Sequence, residues 1–228
     1  VKLQGADDDR AAPGDSEGEA PMPGYVLYGN PGAGSAAVEA AMAEAGIAYD
    51  FRVLDRKAGE HLGAEYSRIN PRQQVPALVL ADGSVVTEVP AILNRIADAH
   101  PESRLAPPPG TSARAQHDRW LGFLHANVYE GVLRVYYAAR YTTDPAGAAG
   151  VEAAARAYVD RNFALFDAAL GIGPFFAGAS LTAVDLFAWM LATWVDRAAL
   201  ARACPKVGRL VAAVEARPRL ADVVARNG

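Results

Sequence analysis

Three consecutive prolines, Pro107-Pro108-Pro109, constrain this chain more than any other feature. Proline holds φ near about −65° and donates no backbone hydrogen bond, so neither a helix nor a sheet ladder runs through such a stretch. The surrounding residues 101–111 read as a stiff, extended linker. The 228 residues are therefore expected to fold as two units, one over 25–100 and one over 112–228, each long enough to bury a core.

The two sides carry different periodicities. Tyr25-Val26-Leu27-Tyr28 reads as a short buried strand and Asn30-Pro31-Gly32-Ala33-Gly34 as the loop after it. Ser35 is placed to cap a helix in which Val38, Ala41, Met42 and Ala45 recur at helical spacing before Gly46 ends it. A second strand fits Tyr49 to Leu54, and a short helix fits Leu62 to Ile69, stopped by Asn70-Pro71. Ala77 to Leu80 and Val85 to Thr87 make a hairpin around Asp82-Gly83. Pro90 then opens a helix that reaches Ala99. The order β-α-β-α-β-β-α implies a four-stranded mixed sheet with helices.

Beyond the linker every pattern is helical. One helix is expected from Ser112 to Ala139, weakened and bent at Gly131. Another runs from Ala148 to Leu170, with Ala155, Val159, Phe163 and Phe166 as its core stripe. Thr182-Ala183-Val184-Asp185 has the form of a capping box, Asp185 accepting the Thr182 N–H. It opens Leu186-Phe187-Ala188-Trp189-Met190-Leu191, apolar enough to be the centre of a bundle. Shorter helices fit Lys206 to Ala216 and Arg219 to Val224. The expected fold class is α/β plus all-α.

Charge and cysteine usage narrow the function. The formal charge is −4, and residues 1–24 carry all of it with six acids against two bases. That acidic leader has no aromatic residue and reads as a flexible tail. The rest balances at 20 of each sign, with no basic stripe, so nucleic acid is not expected as a partner. No run has the length of a membrane span, and the acidic start lacks the order of a secretory signal, so a cytoplasmic protein is expected. The single cysteine, Cys204, excludes an intramolecular disulfide. His117 and His125 have no acidic pair at ligand spacing, so no metal is expected.

Three segments, in order around the linker, carry a resemblance: Asn70-Pro71-Arg72-Gln73-Gln74-Val75-Pro76-Ala77-Leu78, Thr87-Glu88-Val89-Pro90-Ala91-Ile92, and Leu181-Thr182-Ala183-Val184-Asp185. With the two-unit layout, they resemble the cytosolic glutathione transferase superfamily. That implies an N-terminal thioredoxin-like domain and a C-terminal helical bundle. The opening Tyr25 to Ser35 is most similar to the bacterial beta-like branch, which usually has cysteine where Gly34 stands here. Mixed-disulfide chemistry is therefore excluded at that position.

The resemblance implies glutathione as co-substrate and a site built as follows. The bond before Pro76 would be cis, presenting the Val75 backbone to the cysteinyl part of the tripeptide. Gln74 and Arg72 would frame the glycyl end, with Lys57 and His61 as weaker candidates. Glu88 and the Val89 N–H would hold the γ-glutamyl end, although Val89 replaces the family's serine and Pro90 removes the next donor. The thiolate would be held by the Ser35 hydroxyl, by Asn30, or by the N–H groups of Gly34 and Ser35, helped by the helix dipole. Tyr28 reads as a wall aromatic. Across the cleft, His125, Asn127, Tyr129, Arg134, Tyr136 and Tyr137 concentrate polar and aromatic groups. Tyr129 stands where relatives often place a histidine facing the thiol, and as a neutral phenol it would donate. The resemblance also implies a homodimer, with Asn127 placed to reach across its interface. The function expected is conjugation of glutathione to small apolar electrophiles, as in detoxification. The alternatives are glutathione-dependent peroxide or disulfide reduction, and a non-catalytic binding scaffold.

Overall fold

The first strand, β1 (Tyr25–Gly29), forms a four-stranded sheet with β2 (Asp50–Val53), β3 (Ala77–Leu80) and β4 (Val85–Thr87) in the order β2-β1-β3-β4, in a computed structural model that describes residues 24–227. The expected leader falls almost wholly outside those residues. Helix α1 (Ser35–Ala45) returns the chain to β2 (Asp50–Val53), which pairs parallel with β1, Leu27 opposite Phe51. After α2 (Ala64–Ile69), β3 (Ala77–Leu80) pairs antiparallel with β1, and β4 (Val85–Thr87) pairs antiparallel with β3. Helix α3 (Val89–Ala99) completes this half.

Alanine explains how α1 sits. Its residues Ser35 to Met42 are buried in succession, because small side chains on every face let the sheet and the helical half close on it together. The expectation that Ser35 caps this helix is corrected. Gly34 holds the cap position without a side-chain bond, and the Ser35 hydroxyl turns back to the Asn30 backbone.

The helical half comprises α4 (Ser112–Phe123), α5 (Glu130–Tyr136), α6 (Ala148–Ala169), α7 (Ala183–Ala192), α8 (Arg197–Ala203), α9 (Pro205–Glu215) and α10 (Ala221–Asn227). The single long helix expected from Ser112 is broken, but not by Gly131. A π-helical stretch, Leu124–Tyr129, joins α4 to α5. Gly131 has another reason to be there: a Cβ on it would stand 2.7 Å from Val159 Cγ2, so its bareness lets α5 lie close on α6.

Helix α7 is buried along its whole length. Its capping box forms as the sequence implies, with Asp185 Oδ2 accepting from the Thr182 N–H at 2.7 Å and its hydroxyl at 2.8 Å. Oδ1 takes the Phe176 N–H at 2.6 Å. Burial pushes this carboxyl up to about 6, against the opposing pull of those donors. One apolar core runs from α1, β1 and α3 into α4, α6, α7 and α9.

Candidate active site

The sheet half and the helical half leave between them a cavity of about 430 Å³. Its sheet side is made by the loop ahead of α1, by residues 72–76, and by the start of α3. Its helical side comes from the π-helical stretch, α5 and the residues after it, and Trp194.

Arg72, Gln74, Val75, Pro76, Glu88 and Val89 all line the cavity, and the Val75–Pro76 bond is cis. Among the described residues no group uses the Val75 N–H or C=O. The preceding residues are braced from behind: the Gln74 carbonyl accepts from the Tyr66 hydroxyl at 2.6 Å and from Asn70 Nδ2 at 2.7 Å. Tyr66 and Asn70 are both buried, so this edge is held by side chains that sequence reasoning had passed over. Their only signal was position, Tyr66 inside a short amphipathic helix and Asn70 before its proline.

Glu88 precedes α3 with φ of 66°, a left-handed conformation rare for a glutamate. Its Oε1 accepts from Arg72 Nη1 at 3.0 Å, and its Oε2 stands 3.3 Å from His125 Nε2. The carboxylate is thus gripped from both sides of the cleft. The Val89 N–H has no acceptor among the described residues and stands at the positive end of α3.

Ser35 and Asn30 are not on the cavity wall. The buried Ser35 Oγ donates to the Asn30 carbonyl at 3.0 Å and accepts the Asn30 N–H at 3.1 Å. Asn30 Nδ2 donates to the Leu54 carbonyl at 2.7 Å. Both side chains are spent on fixing the loop. The N–H groups of Gly34 and Ser35 have no acceptor among the described residues, and they open α1 beside the cavity.

Tyr129 does face the cavity. A Cβ built on Gly34 would meet the Tyr129 hydroxyl at 2.8 Å and Pro76 Cδ at 3.2 Å. The phenol from the helical half therefore fills the space a side chain at position 34 would take. Its ring stands edge-on to Trp194 at 4.9 Å, and its hydroxyl has no hydrogen-bond partner among the described residues. Burial pushes the phenol up to about 12, and the charges of Glu130 and Glu88 add to the rise. It stays a neutral donor across the physiological range.

The loop beside it is clamped from the helical half. Gly32 donates its N–H to Asn227 Oδ1 at 2.8 Å, and its carbonyl accepts from Trp194 Nε1 at 2.9 Å. His61, His125, Tyr136 and Tyr137 line the cavity as well, whereas Lys57, Tyr28 and Arg134 do not. Asn127 is committed within its own half, donating to the Phe123 carbonyl at 3.0 Å and accepting from the Tyr158 hydroxyl. Arg56, Arg140 and Trp194 line the cavity without having been singled out from the sequence. No group of three or more potential metal ligands occurs among the described residues. No described helix is long and apolar enough to cross a membrane.

A thioredoxin-like sheet joined to a helical bundle, with a backbone edge and a helix N-terminus sharing the cleft between them, defines the two-domain glutathione-transferase class. Residues 35–99 match the glutathione S-transferase N-terminal domain, and residues 130–227 match the C-terminal domain. The chain belongs to the glutathione S-transferase family. It is 32% identical over 174 residues to the uncharacterized GST-like protein YncG of Escherichia coli, covering 74% of this chain and 80% of that one. It is 28% identical to glutathione S-transferase GST-4.5 of Xanthomonas campestris, covering 75% and 83%. Among solved structures, a Sulfitobacter glutathione transferase homologue with bound glutathione superposes with a TM-score of 0.81 at 26% identity, over 90% of this chain and 98% of that one. A bacterial beta class enzyme of Sphingomonas chungbukensis gives 0.74 at 27% identity, over 88% and 97%.

Proposed function

We propose that this chain is a glutathione transferase in which Tyr129, reaching across from the helical half, holds the thiolate beside the N-terminus of α1. Gly34 takes the position of the beta-like cysteine, so no protein thiol takes part there. The observation that carries the reading is that Tyr129, the open backbone of Val75 and Gly34 line one cavity, with the Tyr129 hydroxyl against Gly34 and the free N–H groups of Gly34 and Ser35 opening α1 beside it. The Val75 edge pairs with the cysteinyl backbone of glutathione, Glu88 and the Val89 N–H receive its γ-glutamyl end, and Gln74 and Arg72 frame its glycyl end. Ser35 and Asn30 act on the loop and not on sulfur.

The chemistry follows from those placements. A phenol that keeps its proton, two backbone N–H groups and a helix dipole all favour the charged form of a thiol, which loses its proton to solvent. The thiolate forms a carbon–sulfur bond to the electrophile as the bond to the leaving group breaks, and the leaving group departs with the bonding pair. The functional division is residues 25–100 for glutathione and 112–228 for the electrophile, with the family's homodimer as the working unit. Sedimentation at graded concentration checks the dimer. The activity is tested by titrating glutathione into the purified chain calorimetrically and following thioether formation with 1-chloro-2,4-dinitrobenzene. Binding with turnover is expected, and absence of glutathione binding refutes the reading.

A further inference from the structure

The cavity carries three donors that chemistry at sulfur leaves unused. Arg56 follows β2, while Tyr137 and Arg140 follow α5, and all three line the cavity. Arg56 Nη2 donates to the Tyr137 hydroxyl at 3.3 Å, and the Arg140 guanidinium carbon lies 4.1 Å from the centroid of the same ring. Two guanidinium groups thus flank one phenol, one at its oxygen and one over its face. The Tyr137 hydroxyl, having accepted from Arg56, keeps its own proton to donate.

Neither arginine is paired with a carboxylate among the described residues. Of the two acids that line the cavity, Glu88 is taken by Arg72 and His125, and Glu130 stands 3.5 Å from the Tyr141 hydroxyl. The three donors therefore line the cavity as one cluster with no carboxylate partner among the described residues. Planar guanidinium groups suit a carboxylate or sulfonate, which accepts two parallel N–H bonds. Tyr137 and Arg140 belong to the helical side of the cavity, and the Val75 edge and the start of α3 to its sheet side. The charge of Arg56 also reaches the Tyr129 hydroxyl, so the cluster stands within electrostatic range of the reacting centre.

Resting on the transferase reading, we propose that the preferred electrophile is an organic anion: an aromatic or apolar body bearing a carboxylate or sulfonate held by Arg56, Tyr137 and Arg140. Its reacting carbon then lies toward Tyr129. This makes the second substrate amphiphilic, where the sequence had implied a purely apolar one.

The test compares 4-chloro-3-nitrobenzoate with 4-chloro-3-nitrobenzamide, each rate divided by its uncatalysed reaction with glutathione. The wild type should favour the carboxylate in corrected kcat/KM by about tenfold or more, the scale of a charge-assisted contact. High salt should erode the preference, because both arginines are solvent-exposed. Arg140→Gln and Arg56→Gln should each remove most of it, and Arg140→Lys should restore part. Equal selectivity in wild type and variants overturns the proposal. So does a rise in KM for glutathione with the carboxylate preference intact, which assigns the arginines to the tripeptide. If neither electrophile turns over, the transferase reading is what has failed. Binding of the two finished glutathione conjugates then decides the anion site, and equal affinity for both overturns it.

Discussion

Replacing Tyr129 with phenylalanine removes one oxygen from the point where the two halves meet at position 34. The hydroxyl is 2.8 Å from where a Gly34 Cβ would stand, has no partner among the described residues, and sits where burial pushes its own ionisation up to about 12. The ring keeps its edge-on contact with Trp194, so the fold loses nothing. A neutral donor to a buried thiolate contributes about 2–3 kcal/mol. At about 1.4 kcal/mol per unit, its loss raises the pKa of the bound thiol by roughly 1.5–2 units. The active form is the deprotonated one, so a raised pKa lowers the rate at fixed pH. The expected fall is about 30- to 100-fold near pH 6.5, shrinking as pH rises past the free-thiol range. Tyr129 itself does not titrate there, so the shift belongs to the thiol. Two assays read it: the pH profile of kcat/KM, and the ultraviolet absorbance of thiolate in the binary glutathione complex. Unchanged profiles in both would refute the assignment.

Gly34→Ala should reproduce much of that loss, because its Cβ meets the Tyr129 hydroxyl at 2.8 Å. Combined with Tyr129→Phe it should cost less than the two single effects added together, a coupling that a double-mutant cycle measures. Glu39 is fully buried with Arg226 as its ion-pair partner, and Glu39 Oε1 has no hydrogen-bond partner among the described residues. Arg226→Met should destabilise the fold by about 2 kcal/mol, below the range for wholly buried pairs because Arg226 is half exposed. Urea denaturation gives the value. His117 is buried, and burial holds its imidazole below the usual range although Asp118 pulls the other way. A depressed pKa gives stability that is present above about pH 6.5 and lost as pH falls, by at most about 1.4 kcal/mol per unit. His117→Phe should flatten that slope in denaturation curves taken between pH 5 and 7.

The sequence and the site diverge for a physical reason that shows at individual residues. The Asp82-Gly83 hairpin and the Asp185 cap are local in cause, and a few neighbouring residues decide each of them. The Val75–Pro76 edge and the acid before α3 were implied by the family resemblance of their segments, and both line the cavity. Ser35 misled because a serine at the start of a helix suits three roles by spacing alone. The choice among them depends on where the Asn30 backbone turns, and that backbone takes both hydrogen bonds. Helix α8 and the π-helical stretch were missed, the latter because one extra residue per turn leaves almost no trace in an apolar pattern.

That stretch matters most, since it carries both His125 and Tyr129, and it sets which face of the helix turns to the cleft. The Gly32 clamp is harder still to read. It joins residues 195 and 162 positions apart, through an asparagine and a tryptophan that have ordinary local reasons to exist. Gly34 is the instructive case. In the sequence it is only a missing side chain, and in the fold it is the room that a phenol from the other half occupies. A site assembled across two halves is therefore specified in pairs. Either member alone reads as bland, and the chemistry appears only once the distance between them is known.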